Sequence, residues 1–198
     1  MAGSVREAPG KIAHFYNTIH GFFDFHGIYR DAVRRASGPA TFVEVGTWFG
    51  RSAAFMAVEI ANSGKPIAFH CVDTWKGSDD VPSMQEILTR CDGFEVFKAN
   101  MERGGVWSQV TPMRMDSLEA AKAFRDDSVD FCFVDANHAY DAVTADLAAW
   151  LPKMRHGGVL AGHDYAQEFM GVKHAVQDFF GAGRFEVIGR SWLHRVEK

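Results

Sequence analysis

From residue 41 onward, short apolar runs rich in β-branched and aromatic residues alternate with longer segments in which apolar positions recur every three to four residues. The short runs predict buried β-strands, and the longer segments predict amphipathic helices. Strands are expected at residues 41–45, 67–73, 110–115, 129–135 and 158–162, followed by a hairpin of residues 184–188 and 192–196. This alternation is typical of a parallel sheet covered on both faces.

Two connecting segments, residues 141–151 and 171–180, carry clear helical stripes. Before the first strand, the chain predicts one or two helices that end at Ser37-Gly38-Pro39. We therefore expect one doubly wound, Rossmann-like α/β domain with a mostly parallel seven-stranded sheet and an antiparallel C-terminal hairpin. Residues 1–40 would form a helical cap segment on a domain of residues 41–198.

Composition is that of an ordinary globular protein, with 47% hydrophobic and 23% charged residues among 198. A net charge of -4 gives no general attraction to nucleic acid. No run approaches the roughly 18 apolar residues of a membrane span, and residues 1–10 lack the apolar segment of a signal peptide. We expect a cytoplasmic protein without nucleic-acid or membrane partners. Its three cysteines have no CxxC spacing, which predicts reduced thiols.

The glycine turn after the first strand is the strongest sign of a ligand site. Residues 41–52 read TFVEVGTWFGRS, a strand, a turn and a helix start, which suits a nucleotide-like ligand. Gly46 should adopt a positive φ, and Gly50 should let the backbone approach a ligand. Glu44 disfavours a phosphate and favours an uncharged or cationic nucleoside group. The alternative is a turn whose glycines only permit close packing.

Acidic residues recur where successive strands should end, at Glu44, Asp73, Asp116 and Asp135. Because the carboxyl ends of parallel strands share one edge, the four carboxylates should converge on one cleft. Asp73 could accept both hydrogen bonds of a ribose diol, but the lack of GxGxxG disfavours a nicotinamide cofactor. Asp116 and Ser117 could meet an adenine amino group, unless Ser117 only caps the next helix.

The chain resembles class I S-adenosylmethionine-dependent methyltransferases, in particular small bacterial enzymes related to antibiotic-sugar O-methyltransferases. Five segments carry the resemblance in order: VEVGTWFGRS, CVDTW, RMDS, FCFVDANH and GGVLAGHDY. The resemblance implies a loop under the methionine part of the cofactor and contacts to its ribose and adenine. These cofactor residues would be Glu44, Gly46, Thr47, Gly50, Ser52, Asp73, Trp75, Asp116, Ser117 and Asp135.

The segments DANH and GHDY should lie side by side and bring Asp135, His163 and Asp164 together beside His138. Two carboxylates and an imidazole can hold a divalent cation such as Mg²⁺. This arrangement resembles the metal site of catechol-type and sugar O-methyltransferases, in which an acid or amide replaces His163. The alternative is that Asp135 binds only cofactor, while His163 and Asp164 orient one another.

The implied reaction is in-line transfer of the sulfonium methyl to a hydroxyl of a small-molecule acceptor. His138 is predicted to be the general base, since imidazole titrates near neutral pH. His163 acting without a metal is the alternative base, and Lys76 in the polar loop 74–82 is a weaker one.

Other functions remain open from the sequence. The chain could be a metal-independent N-methyltransferase or a non-catalytic cofactor-binding module, although a module has no need of the polar cluster around His138. The aromatic block at residues 20–29 should either roof an acceptor pocket or plug the core. A homo-oligomer is consistent with the size of the chain.

Overall fold

One seven-stranded sheet organises the protein in a computed structural model that describes residues 10–78 and 81–198. The predicted strands are all present. Strand β5 begins earlier than predicted, because its first residues are polar and glycine-rich and do not show the apolar pattern of a buried strand. The strands are β1 (Ala40–Val45), β2 (Ile67–Asp73), β3 (Val110–Arg114), β4 (Val129–Val134), β5 (Met154–Gly162), β6 (Glu186–Ile188) and β7 (Ser191–Arg195).

Helices connect the strands and cover both faces of the sheet. They are α1 (His26–Arg35), α2 (Arg51–Ser63), α3 (Pro82–Leu88), α4 (Gly93–Arg103), α5 (Ser117–Lys122), α6 (Tyr140–Trp150) and α7 (Met170–Phe180). The predicted helices at 141–151 and 171–180 correspond to α6 and α7. Residues 1–9 of the expected cap segment, and residues 79 and 80 of the predicted polar loop, lie outside the described residues. No helix within the described ranges is long and apolar enough to cross a membrane.

The strand order is β3-β2-β1-β4-β5-β7-β6. Strands β1 to β5 are paired in parallel, whereas β7 pairs antiparallel with both β5 and β6. The predicted fold class is therefore confirmed. Because the chain winds outward in both directions from β1 and β4, a crevice opens between the carboxyl ends of these two strands.

Backbone hydrogen bonds extend the sheet past the ends of the strands. The amide of Gly46 donates to the carbonyl of Val72 at 2.9 Å, the amide of Asp135 donates to Val45 at 2.8 Å, and that of His163 donates to Val134 at 3.1 Å. The first residues after β1, β4 and β5 consequently lie side by side on the rigid edge of the sheet.

The two faces of the sheet bury separate cores. Phe42 of β1 packs in the core that contains the apolar residues of α1 and α2, whereas Val43 packs in the core beneath α6 and α7. This division follows from the alternation of side chains along a strand. The N-terminal segment joins the first core through Ile19, Phe23 and Phe25, so it is packed against the sheet.

Candidate functional site

A cavity of about 330 Å³ lies at the carboxyl ends of β1 to β4, at the crevice that the topology creates. Half of the ten residues predicted to bind cofactor line it: Gly46, Asp73, Asp116, Ser117 and Asp135. The lining also contains Trp48 from the glycine turn, Asn137 from the loop after β4 and Asp146 from α6.

The glycine turn has the predicted backbone, with φ of 88° at Gly46 and 87° at Gly50. A Cβ atom on Gly46 would lie 1.9 Å from the carbonyl oxygen of Asp135, and one on Gly50 would lie 2.7 Å from the ring of Phe97. Gly46 therefore lets the turn pack directly against the end of β4 while it lines the cavity. Gly50 serves close packing against α4 and lies outside the cavity lining.

Asp73 organises the backbone of the turn. Its Oδ2 accepts a hydrogen bond from the amide of Trp48 at 2.7 Å, and its Oδ1 accepts one from the amide of Trp75 at 2.7 Å. Burial raises the pKa of Asp73, whereas these backbone donors act to lower it. Each carboxylate oxygen has more than one acceptor site, so Asp73 can also accept hydrogen bonds from a ligand.

Trp75 lies beneath the turn rather than in the cavity lining. Its side chain is 2% exposed, its indole nitrogen donates to the carbonyl of Trp48 at 2.6 Å, and its ring contacts Phe94 and Phe97. Trp75 thus supports the turn from below, and its place beside the adenosine stays a prediction.

Glu44 faces the other side of the sheet. Its Oε1 accepts a hydrogen bond from the hydroxyl of Tyr29 in α1 at 2.7 Å, and the side chain is outside the cavity lining. Burial raises the pKa of Glu44 to about 8, against the lowering effect of the Ser52 and Tyr29 hydroxyls. Ser52 and Thr47 are also buried and outside the lining. Of the four carboxylates that were expected to converge, three line the cavity. Glu44 does not, because successive side chains of β1 point to opposite faces of the sheet and that of Glu44 points to the face covered by α1.

The far end of the cavity contains a buried polar group that the sequence analysis missed. Asp116 caps α5 by accepting a hydrogen bond from the amide of Leu118 at 2.8 Å, so the cap is Asp116 and not Ser117. Ser117 Oγ accepts from the indole nitrogen of Trp150 at 2.9 Å, and the Ser117 hydroxyl acts to lower the pKa of Asp146. Asp146 is 6% exposed, and burial raises its pKa to about 6. The sequence feature that could have revealed Asp146 is the presence of an acid within the apolar stripe of α6.

A second set of polar side chains lies at the ends of β4 and β5, as predicted. Potential ligand atoms of Asp135, His163 and Asp164 all lie within 4.8 Å of one another. His163 Nδ1 is 3.3 Å from Asp164 Oδ1 and 3.9 Å from Asp135 Oδ1. His138 joins the set through its Nε2, which is 3.0 Å from Asp164 Oδ2, and its ring stacks on Phe169 at 4.3 Å.

The charges in this cluster are strongly coupled. Burial alone would lower the pKa of His163, but its hydrogen bond to Asp164 and the charges of Asp135, Asp164 and Asp24 raise it to about 9. Hydrogen bonds from His138 and His163 hold the pKa of Asp164 well below its usual range, despite burial. Burial raises the pKa of Asp135. Without a bound ion, a protonated His163 therefore supplies the positive charge between the acids.

Asp24 is a second residue that the sequence analysis did not assign to the site. Its Oδ1 lies 2.9 Å from His163 Nε2, on the side of the imidazole opposite the other two acids. The neighbouring Phe25 is buried and contacts the rings of both Phe133 and His163. The aromatic block thus plugs the core, as one of the two predictions had it, and also completes the polar cluster. The sequence feature that could have revealed Asp24 is the presence of an acid within an aromatic run.

A larger cavity of about 790 Å³ runs between α1 and β7. None of the residues predicted to bind cofactor or metal lines it, but Asp24 and Arg190 do. Arg190 is also 3.7 Å from Asp164, so one end of this cavity reaches the polar cluster. Lys76, the weaker candidate base, is exposed in the loop after β2.

A mostly parallel sheet with this strand order and an antiparallel C-terminal hairpin is the Rossmann-like fold of class I methyltransferases. The chain belongs to the methyltransferase domain family, whose profile matches residues 43–165. This match confirms the family resemblance that the sequence motifs indicated.

A sequence relative and several solved structures resemble this chain. A Sinorhizobium fredii protein named y4gI, described as uncharacterized, is 28% identical over 157 residues, which are 79% of this chain but only 16% of the relative. The fold matches the O-methyltransferase NovP with a TM-score of 0.70 and 17% identity, over 87% of this chain and 79% of that one.

CalS11, a TDP-rhamnose 3'-O-methyltransferase, matches with a TM-score of 0.59 and 17% identity, over 87% of this chain and 76% of that one. At this level of identity, these two likenesses establish the shared fold.

Proposed function

We propose that this protein transfers the methyl group of S-adenosylmethionine to a hydroxyl of a small-molecule acceptor. One observation carries the proposal: the cavity at the central crevice is lined by Asp73 and Asp135, and Asp135 is also part of the histidine cluster. A cofactor in this cavity would place its reactive end beside groups that can handle the proton of an acceptor.

The charge of the cavity supports a cationic cofactor. Asp73, Asp116, Asp135 and Asp146 all line it, whereas no lysine or arginine does within the described part of the chain. Such a lining repels phosphates and attracts a sulfonium or ammonium group. In our proposal Asp73 accepts hydrogen bonds from the ribose, Asp116 and Ser117 lie at the adenine, and Gly46 and Asp135 lie at the methionine end.

His138 is our proposed general base. Its ring is fixed between the stack on Phe169 and the contact of Nε2 with Asp164. As the methyl group moves in line from the sulfonium to the acceptor oxygen, the hydroxyl proton would pass to this imidazole. His163 is less suited to this role because its raised pKa keeps it protonated near neutral pH.

The cluster also fits a divalent cation. Two carboxylates and one imidazole nitrogen within 4.8 Å of each other form a suitable donor set. To bind the ion, His163 Nδ1 would give up its contact with Asp164. A bound ion would lower the pKa of an acceptor hydroxyl. Asp24 would keep its contact with His163 Nε2, as the outer partners of metal-bound histidines do.

The fold neighbours favour oxygen as the acceptor atom. NovP and CalS11 are both described as O-methyltransferases, and CalS11 acts on a nucleotide-linked sugar. We extend only the acceptor class, a hydroxylated small molecule, to this protein.

Isothermal titration calorimetry tests the cofactor. We expect the wild-type protein to bind S-adenosylmethionine and Asp73→Ala to bind it at least about tenfold more weakly, since a hydrogen bond to a charged group contributes about 1.5–3 kcal/mol. Asp31→Asn, which alters a partly exposed acid of α1 outside the candidate cofactor cavity, is the matched control. Equal affinity for NAD would contradict the assignment. A screen of hydroxylated and amine acceptors for methyl transfer then tests the acceptor class, and transfer to amines alone would overturn it.

A further inference from the structure

We propose that Asp146 recognises the 6-amino group of adenine and thereby selects adenosine-containing cofactors over analogues that lack this group. This inference rests on the proposed function, because it places the adenine end of the cofactor in the cavity of about 330 Å³. It concerns a residue that neither the motifs nor the family resemblance assigned.

Asp146 lies in α6, where it lines the end of the cavity close to α5. The neighbouring positions Ala142 and Ala145 are small, so they leave room beside the carboxylate. Met115 and Leu118 also line this part of the cavity and are 40% and 39% exposed, respectively. Apolar side chains beside an acid suit a flat heterocycle with a polar edge.

The hydrogen bonds around Asp146 leave its carboxylate short of donors. Ser117 Oγ accepts from Trp150 and still has its own proton to donate, and the Ser117 hydroxyl acts to lower the pKa of Asp146. No ion pair joins Asp146 to a lysine, arginine or histidine anywhere in the described ranges. A carboxylate that is 6% exposed and has one hydroxyl donor can accept further hydrogen bonds. Its pKa of about 6 leaves it mostly ionised at neutral pH.

The 6-amino group of adenine supplies the missing donors. Two N–H bonds project from this group, and a carboxylate can only accept. Hypoxanthine carries a carbonyl oxygen at the same position, which would face the carboxylate with no proton between them. A site built around a hydrogen bond discriminates strongly against analogues that cannot make it.

Calorimetry with S-adenosylhomocysteine and S-inosylhomocysteine tests the inference. We expect the wild-type protein to prefer the adenosyl ligand by at least about tenfold. In Asp146→Ala the preference should fall to about threefold or less, mainly through weaker binding of the adenosyl ligand. Asp141→Asn, at an exposed acid of the same helix, should keep the wild-type preference.

Asp146→Asn provides a second variant of the same shape in case the alanine variant does not fold. Its amide can still accept from Ser117 and can donate to a carbonyl, so it should bind the inosyl ligand more tightly than the wild-type protein does. An adenosyl preference that persists unchanged in the variants would overturn the role of Asp146. Failure of the wild-type protein to bind S-adenosylhomocysteine at all would instead contradict the proposed function.

Discussion

Asp24 Oδ1 lies 2.9 Å from His163 Nε2, and this contact joins the N-terminal segment to the end of β5. It occupies one nitrogen of the imidazole and leaves Nδ1 directed toward Asp164 and Asp135. Arg51 of α2 holds the same segment by donating to the carbonyl of Gly21 at 2.8 Å. The segment before β1 is therefore a part of the candidate active site.

Replacing Asp24 should impair turnover more than cofactor binding. In Asp24→Asn we expect kcat to fall about tenfold, because loss of the outer partner of a metal-binding histidine, the role proposed for His163, typically costs 10–100-fold. The KM for S-adenosylmethionine should change little, since Asp24 is outside the cofactor cavity. Steady-state kinetics measure both, with Asp31→Asn as the control and Asp24→Glu as the conservative variant. An unchanged kcat in Asp24→Asn would contradict the positioning role.

Divalent cations should bind at Asp135, His163 and Asp164. We expect Mn²⁺ titrations followed by electron paramagnetic resonance to show one site, weakened at least about tenfold in Asp164→Asn by loss of a charged ligand. Turnover should fall on treatment with EDTA and return when Mg²⁺ is added. Full turnover in EDTA together with no Mn²⁺ binding would remove the metal from the mechanism and leave His163 as the local cation.

His138→Ala should lower kcat by about a hundredfold, the lower end of the usual contribution of a general base. The affinity for S-adenosylmethionine, measured by calorimetry, should stay close to the wild-type value because His138 is outside the cavity lining. His156→Ala, which changes an exposed histidine of β5, is the matched control. If His138→Ala keeps full activity, another group removes the proton.

Glu44 should make the cofactor-free protein less stable as the pH rises. Its pKa is about 8 in the folded state because of burial, against an ordinary value of about 4.3 in an unfolded chain. The folded state thus retains a proton that the unfolded state releases. The contribution of Glu44 to the free energy of unfolding is therefore fully present below about pH 4 and is lost as the pH approaches 8.

Glu44→Gln cannot ionise and should remove this dependence while the amide oxygen still accepts from Tyr29. We expect Tm measured from pH 5 to 8 to fall less in this variant than in the wild-type protein. At pH 8 the variant should be more stable by at least about 1 kcal/mol, since one pKa unit corresponds to about 1.4 kcal/mol. Glu95→Gln, at an exposed position of α4, should follow the wild-type curve.

Gly46 and Gly64 both have positive φ but differ in their surroundings. A Cβ atom on Gly46 would collide with the Asp135 carbonyl, whereas one on Gly64 would meet nothing within 4 Å. Gly64→Ala should therefore lower the free energy of unfolding only by the backbone cost of about 1–2 kcal/mol. Gly46→Ala should cost at least about 2 kcal/mol more, or prevent folding. Similar denaturation midpoints for the two variants would refute the packing argument.

Local sequence patterns were sufficient for the sheet and for three of the acids that line the candidate cofactor cavity. Periodicity located β1 to β7, and the acids that end β2, β3 and β4 line one cavity because parallel strands share an edge. The same reasoning was insufficient for Glu44. Its direction depends on the alternation of side chains in β1, and α1 offers it the hydroxyl of Tyr29 on the opposite face.

The order of strands and helices along the chain, the glycine turn and the association of Asp135 with His163 and Asp164 were all predictable, because they follow from short-range patterns and from where parallel strands end. The folded chain was needed to show that Asp24 contacts His163 across 139 residues and that Asp146 lines the cavity from α6. Such contacts depend on how the N-terminal segment and the helices pack against the sheet. Hydrophobic periodicity predicts which face of a helix or strand is buried, but it does not predict which residues of other elements that face contacts.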